Sequence, residues 1–291
     1  MKFKTNMWKK ALGATLVAGC LSVPVASANA SALITQLFTP GLNTIQDTSA
    51  ERVIAEDGSI KTSGNFAVGD TIESILRFDT VNSGSIGDSI VSPYKFTAYS
   101  QLVITGITND TNTGACAAGA NCNLIFGGVG GGPVLASLYE RSAAPSNIFA
   151  LTPAGGISYV TGGTLVATIG YGQADDYWFS SFFNPLAGDA IGFIAGLGSQ
   201  DPQIPQGAFG LSFLSNPGGI NYVANAMTGL FGDMHDITGN ASIYQRESGT
   251  NSDWLVSDNL SASFQVVPEP ASLALLGIGL LGLGVSRRRK V

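Results

Sequence analysis

Short runs of β-branched and aromatic residues recur along residues 31–267, many alternating apolar with polar positions. Ile72–Phe78 is rich in strand formers. Lys95–Ser100 alternates and runs on into Gln101–Ile107. Thr164–Ile169 and Ser261–Val266 read the same way, and in the second run Ala262, Phe264 and Val266 share one face. Turn residues punctuate these runs, as at Asp57-Gly58, Asn82-Ser83-Gly84 and Asn216-Pro217-Gly218-Gly219. Many short strands between turn signals predict an all-β domain, a single β-sandwich or jelly roll. Helical periodicity is rare. Ile220, Val223, Ala224, Met227 and Leu230 fit one helical face, and Leu135–Arg141 reads as a short helix. These are the one or two helical insertions expected in the β fold. No linker or repeat divides the body, whose length suffices for one core burying about 70% of the unfolded surface.

The two ends follow a different pattern. Lys2, Lys4, Lys9 and Lys10 precede an apolar stretch, Ala11–Val25, and a small-x-small exit at Ala28-Asn29-Ala30. That order predicts a secretory signal peptide over residues 1–30, cut between Ala30 and Ser31. It implies use of the secretion translocon and a signal peptidase. A competing exit, Val17-Ala18-Gly19-Cys20, resembles a lipobox that would acylate Cys20, but the apolar run before it is short.

At the other end, Val267-Pro268-Glu269-Pro270 leads into the 16-residue run Ala271–Ser286 and then Arg287-Arg288-Arg289-Lys290-Val291. As a helix the run is about 24 Å long, against about 30 Å of bilayer core. It predicts a short membrane helix with its basic end held in the cytoplasm. The bland alternative is a plain tail anchor.

This tail resembles the PEP-CTERM sorting signal of Gram-negative bacteria, in which a Pro-Glu-Pro motif precedes a short membrane helix and a basic end. Pro268, Glu269 and Pro270 stand for the motif, and Arg287, Arg288 and Arg289 for the basic end. The resemblance implies processing by an exosortase, a membrane-embedded enzyme. It also implies export across the inner membrane, transient anchoring, and delivery to the cell surface or extracellular matrix, in association with exopolysaccharide and biofilm. It covers residues 267–291 and implies nothing about the body's fold or chemistry. The expected organisation is a signal peptide at 1–30, an exported β-rich domain at 31–266, and a sorting signal at 267–291.

Charge sharpens the picture. Charged residues make up 12% of the chain, against about 25% in an average soluble domain. Between Ser31 and Val267 there are six bases and 19 acids, a net charge of −13. A body this acidic repels nucleic acid. Divalent cations would be attracted, so calcium is a candidate ligand, without an assigned position.

Candidate chemistry is sparse. Cys116 and Cys122, six apart on an exported chain, are expected to close a small disulfide loop. His235 is the only histidine. It has Asp233 and Asp236 nearby but no Gly-x-Ser-x-Gly nucleophile elbow, and it reads as a hydrogen-bonded loop residue rather than a catalytic base. Gly127–Pro133 is glycine-rich without the Lys-Ser/Thr of a phosphate loop, and reads as a turn. Asn109–Gly114 looks superficially like a calcium loop but brings a single carboxylate.

The most suggestive stretch is 171–184, where Tyr171, Tyr177 and Trp178 sit beside Asp175 and Asp176. Flat rings with carboxylates and amides are what a sugar-binding face needs. Adjacent carboxylates are badly placed to span a glycosidic bond. The leading expectation is a non-catalytic surface or matrix protein without a cofactor or metal centre. A carbohydrate-binding module using 171–184 is the alternative, and a secreted hydrolase the second alternative.

Overall fold

A computed structural model describes residues 38–82, 84–85, 95–109, 119–141, 147–184, 188–198 and 205–267. The signal peptide with Cys20, Ala28 and Ala30, the sorting signal from Pro268 onward, Cys116, and most of the Asn109–Gly114 loop lie outside these residues. Among the described residues no helix is long and apolar enough to cross a membrane.

The strands in chain order are β1 (Gly41–Ile54), β2 (Ile60–Lys61), β3 (Thr71–Val81), β4 (Gly84–Ser85), β5 (Lys95–Asn109), β6 (Ala120–Gly127), β7 (Val134–Arg141), β8 (Thr164–Gly170), β9 (Tyr177–Asn184), β10 (Gln206–Ser215), β11 (Met227–Thr228), β12 (Met234–His235), β13 (Ile237–Gln245) and β14 (Val256–Val266). Two short helices, α1 (Pro153–Thr161) and α2 (Ala190–Ala195), interrupt them. The all-β expectation holds.

Two local expectations do not. Leu135–Arg141 lies in strand β7, where it pairs with β5 and β8. The Ile220–Leu230 segment is turns and short bridges, with Asn216 folding the chain back through hydrogen bonds to Ile220. In both, tertiary pairing outweighed a weak local periodicity. Gly127–Pro133 is a connection containing a single 3₁₀ turn, Val129–Gly131.

All the strands except β11 and β12, which pair with each other in a separate two-stranded sheet, form one continuous sheet closed on itself rather than a sandwich of two sheets. Antiparallel pairs run β1–β3–β5–β7–β8–β10–β13–β14 and back to β1. The long strands β5 and β10 each change neighbours along their length. Residues 95–100 of β5 pair with β7, and 103–109 with β6. Residues 212–215 of β10 pair with β8, and 206–210 with β9. Because β6 and β9 pair with each other, the wall is closed at both ends.

Eight strands give a barrel just narrow enough for side chains to fill. Each ring strand contributes an inward residue at one level: Ile45, Leu76, Ala98, Leu138, Ile169, Leu211, Ile237 and Leu260. They surround an apolar cavity of about 40 Å³. A second, smaller core sits outside the wall, where Ile148, Phe149, Val160 and the fully buried Trp254 cover Ala50 and Ile75.

Candidate functional site

Strand β9 forms the second half of the suggestive stretch, and its two-residue period divides those residues between two environments. Tyr177 and Phe179 point outward. Trp178 points into the barrel, is 9% exposed, and stacks on Phe209 at 4.8 Å between ring centroids. Trp178 is therefore a core residue that also borders a groove on the outer wall. Tyr171 is half-buried, its hydroxyl donates to the carbonyl of Phe126, and burial pushes its pKa up to about 12.

The two carboxylates separate as well. Asp175 is exposed in the turn. The Asp176 side chain is fully enclosed. Its Oδ2 accepts from the backbone N–H groups of Gly172 and Gln173 and from the Ser212 hydroxyl, at 2.7, 2.8 and 2.8 Å. Its Oδ1 lies 3.0 Å from His235 Nδ1. Asp176 thus ties the β8–β9 turn to β10 and β12, and with Tyr171 and Tyr177 it also lines the groove on the outer wall.

His235 is correspondingly not a loop residue. It lies on β12, fully buried, oriented by Asp176 rather than by Asp233 or Asp236. Asp236 instead accepts from the backbone of Phe213 and Asn225. Nε2 of His235 has no hydrogen-bond partner among the described residues. The ring is wedged between backbone segments: a Cβ on Gly210 would come within 2.4 Å of it, and one on Gly229 within 2.7 Å. Only glycine allows that approach.

What the turn and β9 do build is an open groove of about 500 Å³ on the outer wall. Its floor is formed by Ile125 and Phe179, which face each other across the β6–β9 ladder. Its rim carries Phe231, 65% exposed, whose ring packs against Tyr177 at 5.0 Å and Phe179 at 5.9 Å. The Tyr177 hydroxyl accepts from the backbone of Leu230 and holds that loop in place. Asn123 and Thr108 supply an amide and a hydroxyl along one side. Sequence reasoning missed Phe231, Ile125, Asn123 and Thr108. The only local signal was an apolar Leu230-Phe231 pair set between glycines 229 and 232.

Elsewhere, three carboxylates lie inside the wall. Asp47 accepts from the backbone of Leu260, Glu51 from the Ser74 hydroxyl, and Asp258 from the backbone of Ser242. Burial pushes all three above the usual carboxylate range, Glu51 to about 7. One oxygen each of Asp47 and Glu51 has no hydrogen-bond partner among the described residues. Among the described residues no group of three or more His, Cys, Asp or Glu side chains is arranged to hold a metal ion. Cys122 is buried on β6, opposite Phe182.

Residues 266–290 match the family model of the PEP-CTERM protein-sorting motif. No curated protein and no solved structure matches the chain. The motif marks an exported protein, anchored in the membrane and sorted to the cell surface by an exosortase. It begins on the last residue of β14.

Proposed function

We propose that the chain is a non-catalytic surface or extracellular-matrix protein that contacts exopolysaccharide through the groove beside β9. The observation that carries this reading is the cluster of Tyr177, Phe179 and Phe231 over Ile125, with Asn123 and Thr108 alongside. Apolar ring faces complement the C–H faces of sugars, while the amide and hydroxyl serve sugar hydroxyls. Tyr177, Phe179, Ile125, Asn123 and Thr108 come from the barrel wall and the Tyr177 hydroxyl holds the Leu230 loop that carries Phe231, so little conformational entropy would be lost on binding. The signal peptide, the Cys116–Cys122 disulfide and the biofilm setting belong to the same proposal, and export through the sorting motif supports each.

The secreted-hydrolase reading draws less support. Asp175 faces water while Asp176 is consumed by internal hydrogen bonds, so this pair cannot act as acid and base across one bond. Titration of the purified protein with the host's exopolysaccharide, followed by calorimetry, tests the proposal. Phe231→Ala should weaken binding about tenfold, as expected for an exposed aromatic anchor. Undiminished binding by that variant would remove the groove from the function.

A further inference from the structure

We infer that the barrel stands end-on against the membrane, with the pole where β1 begins and β14 ends seated on the lipid headgroup layer. The inference rests on the tail being a membrane-inserted sorting signal. Val266, the last residue of β14, pairs with Gly41, the first of β1. The next residue, Val267, is still held to the barrel by its N–H donating to Asn221. Three residues then separate Val267 from Ala271, where the apolar run starts. Four peptide steps reach about 14 Å at full extension. The headgroup layer alone occupies roughly 5–7 Å on each side of the hydrocarbon core. Beyond the headgroup layer at most about 7–9 Å of chain remains, so this pole is held within that distance of the headgroups whenever the apolar run is inserted.

The pole's composition suits that position. Residues 38–46, 80–82, 216–224 and 259–267, which surround the exit, contain no charged side chain, although the body carries a net charge of −13. Along β3 the first carboxylate is Asp79, which is paired with Arg77. Carboxylates within a Debye length of about 8–10 Å would be repelled by an anionic leaflet. Leu42 is 62% exposed at the pole, and Thr39, Pro40 and Asn221 are exposed around it. Phe38 lies here as well, its ring packing on Phe264 at 4.9 Å. The side of this pole around the exit thus carries no charged side chain, while across the same end β5 begins at Lys95, paired with Arg141 at the end of β7 beside the buried Glu140, and the two bases there are of the sign an anionic leaflet attracts.

The test uses the full chain, inserted through its tail into vesicles of phosphatidylethanolamine and phosphatidylglycerol. Some of the lipid is brominated near the headgroup. Leu42→Trp places a reporter at the pole, and Ile60→Trp places one at the far end of β1, where Ile60 pairs with Ile54. The unsubstituted chain supplies the background from Trp8, Trp178 and Trp254. The Leu42→Trp reporter should be quenched severalfold more than the Ile60→Trp reporter. Adding Thr39→Glu and Asn221→Asp to the Leu42→Trp chain should lower the docked fraction in anionic vesicles about fivefold per carboxylate, and far less in phosphatidylcholine. Equal quenching of the two reporters in vesicle-bound chain overturns the docking while leaving the tail reading intact. Failure of the chain to enter vesicles at all overturns the tail reading and the docking with it. Quenching that requires co-reconstituted exosortase assigns the pole to a protein partner and overturns the lipid contact.

Discussion

Glu51 should make the barrel lose stability as pH rises from acid to neutral. The group sits inside the wall with one oxygen bonded to Ser74 and the other without a partner among the described residues. An unfolded chain releases this proton near pH 4.5, whereas the folded barrel holds it to about pH 7. Between those values the folded state binds more protons than the unfolded state, so stability falls as pH rises. The contribution is fully present below about pH 4.5 and lost once pH passes through 7. A shift from 4.5 to about 7 corresponds to about 3 kcal/mol at 1.36 kcal/mol per unit. Burial acts on Asp47 and Asp258 in the same direction and steepens the decline.

The assay is urea unfolding between pH 4 and 8, followed by the emission of the buried Trp178 and Trp254. The acidic surface also destabilises the fold at high pH through self-repulsion, so the decline alone does not isolate Glu51. Glu51→Gln does, because it keeps the shape and removes the titration. That variant should match the unsubstituted chain near pH 4.5, exceed it by about 3 kcal/mol at pH 8, and leave the urea dependence m unchanged. Parallel pH profiles for the two proteins, or a variant weaker at every pH, would refute the assignment.

The remaining predictions concern the groove, the histidine wedge and the disulfide. Trp178→Ala should cost about 3–5 kcal/mol in urea unfolding, as for large aromatic truncations in cores. Phe231→Ala should leave stability within about 0.5 kcal/mol while weakening polysaccharide binding; a reversal of these two effects would put the wrong ring on the surface. Gly210→Ala should cost about 1–3 kcal/mol by overpacking against His235, read as a drop of several degrees in melting temperature. The Cys116–Cys122 bridge should make the unreduced exported protein lighter by two hydrogens than the reduced one by intact-mass measurement. Its removal should cost about 2 kcal/mol, since the loop is short.

Sequence alone determined the class of fold and the destination. Strand signals reside in neighbouring residues, since a two-residue alternation and a turn dipeptide need no distant partner; hence Ile72–Phe78, Thr164–Ile169 and Ser261–Val266 all lie in strands where the pattern places them. A sorting signal is likewise read as a linear string, which is why Pro268–Pro270 and the basic end are legible without any fold. Tertiary structure decided everything that depends on register. Closure of the barrel rests on β1 meeting β14 across some 220 residues, and no local pattern encodes that pairing. Register also sent Asp176 inward to His235 and left Asp175 in water, although the two are adjacent and chemically identical. The groove shows the same limit: Phe231, Phe179 and Ile125 come from three separate segments. They become a single surface only when β6, β9 and the Leu230 loop are brought together, because side chains converge through long-range packing rather than through spacing along the chain.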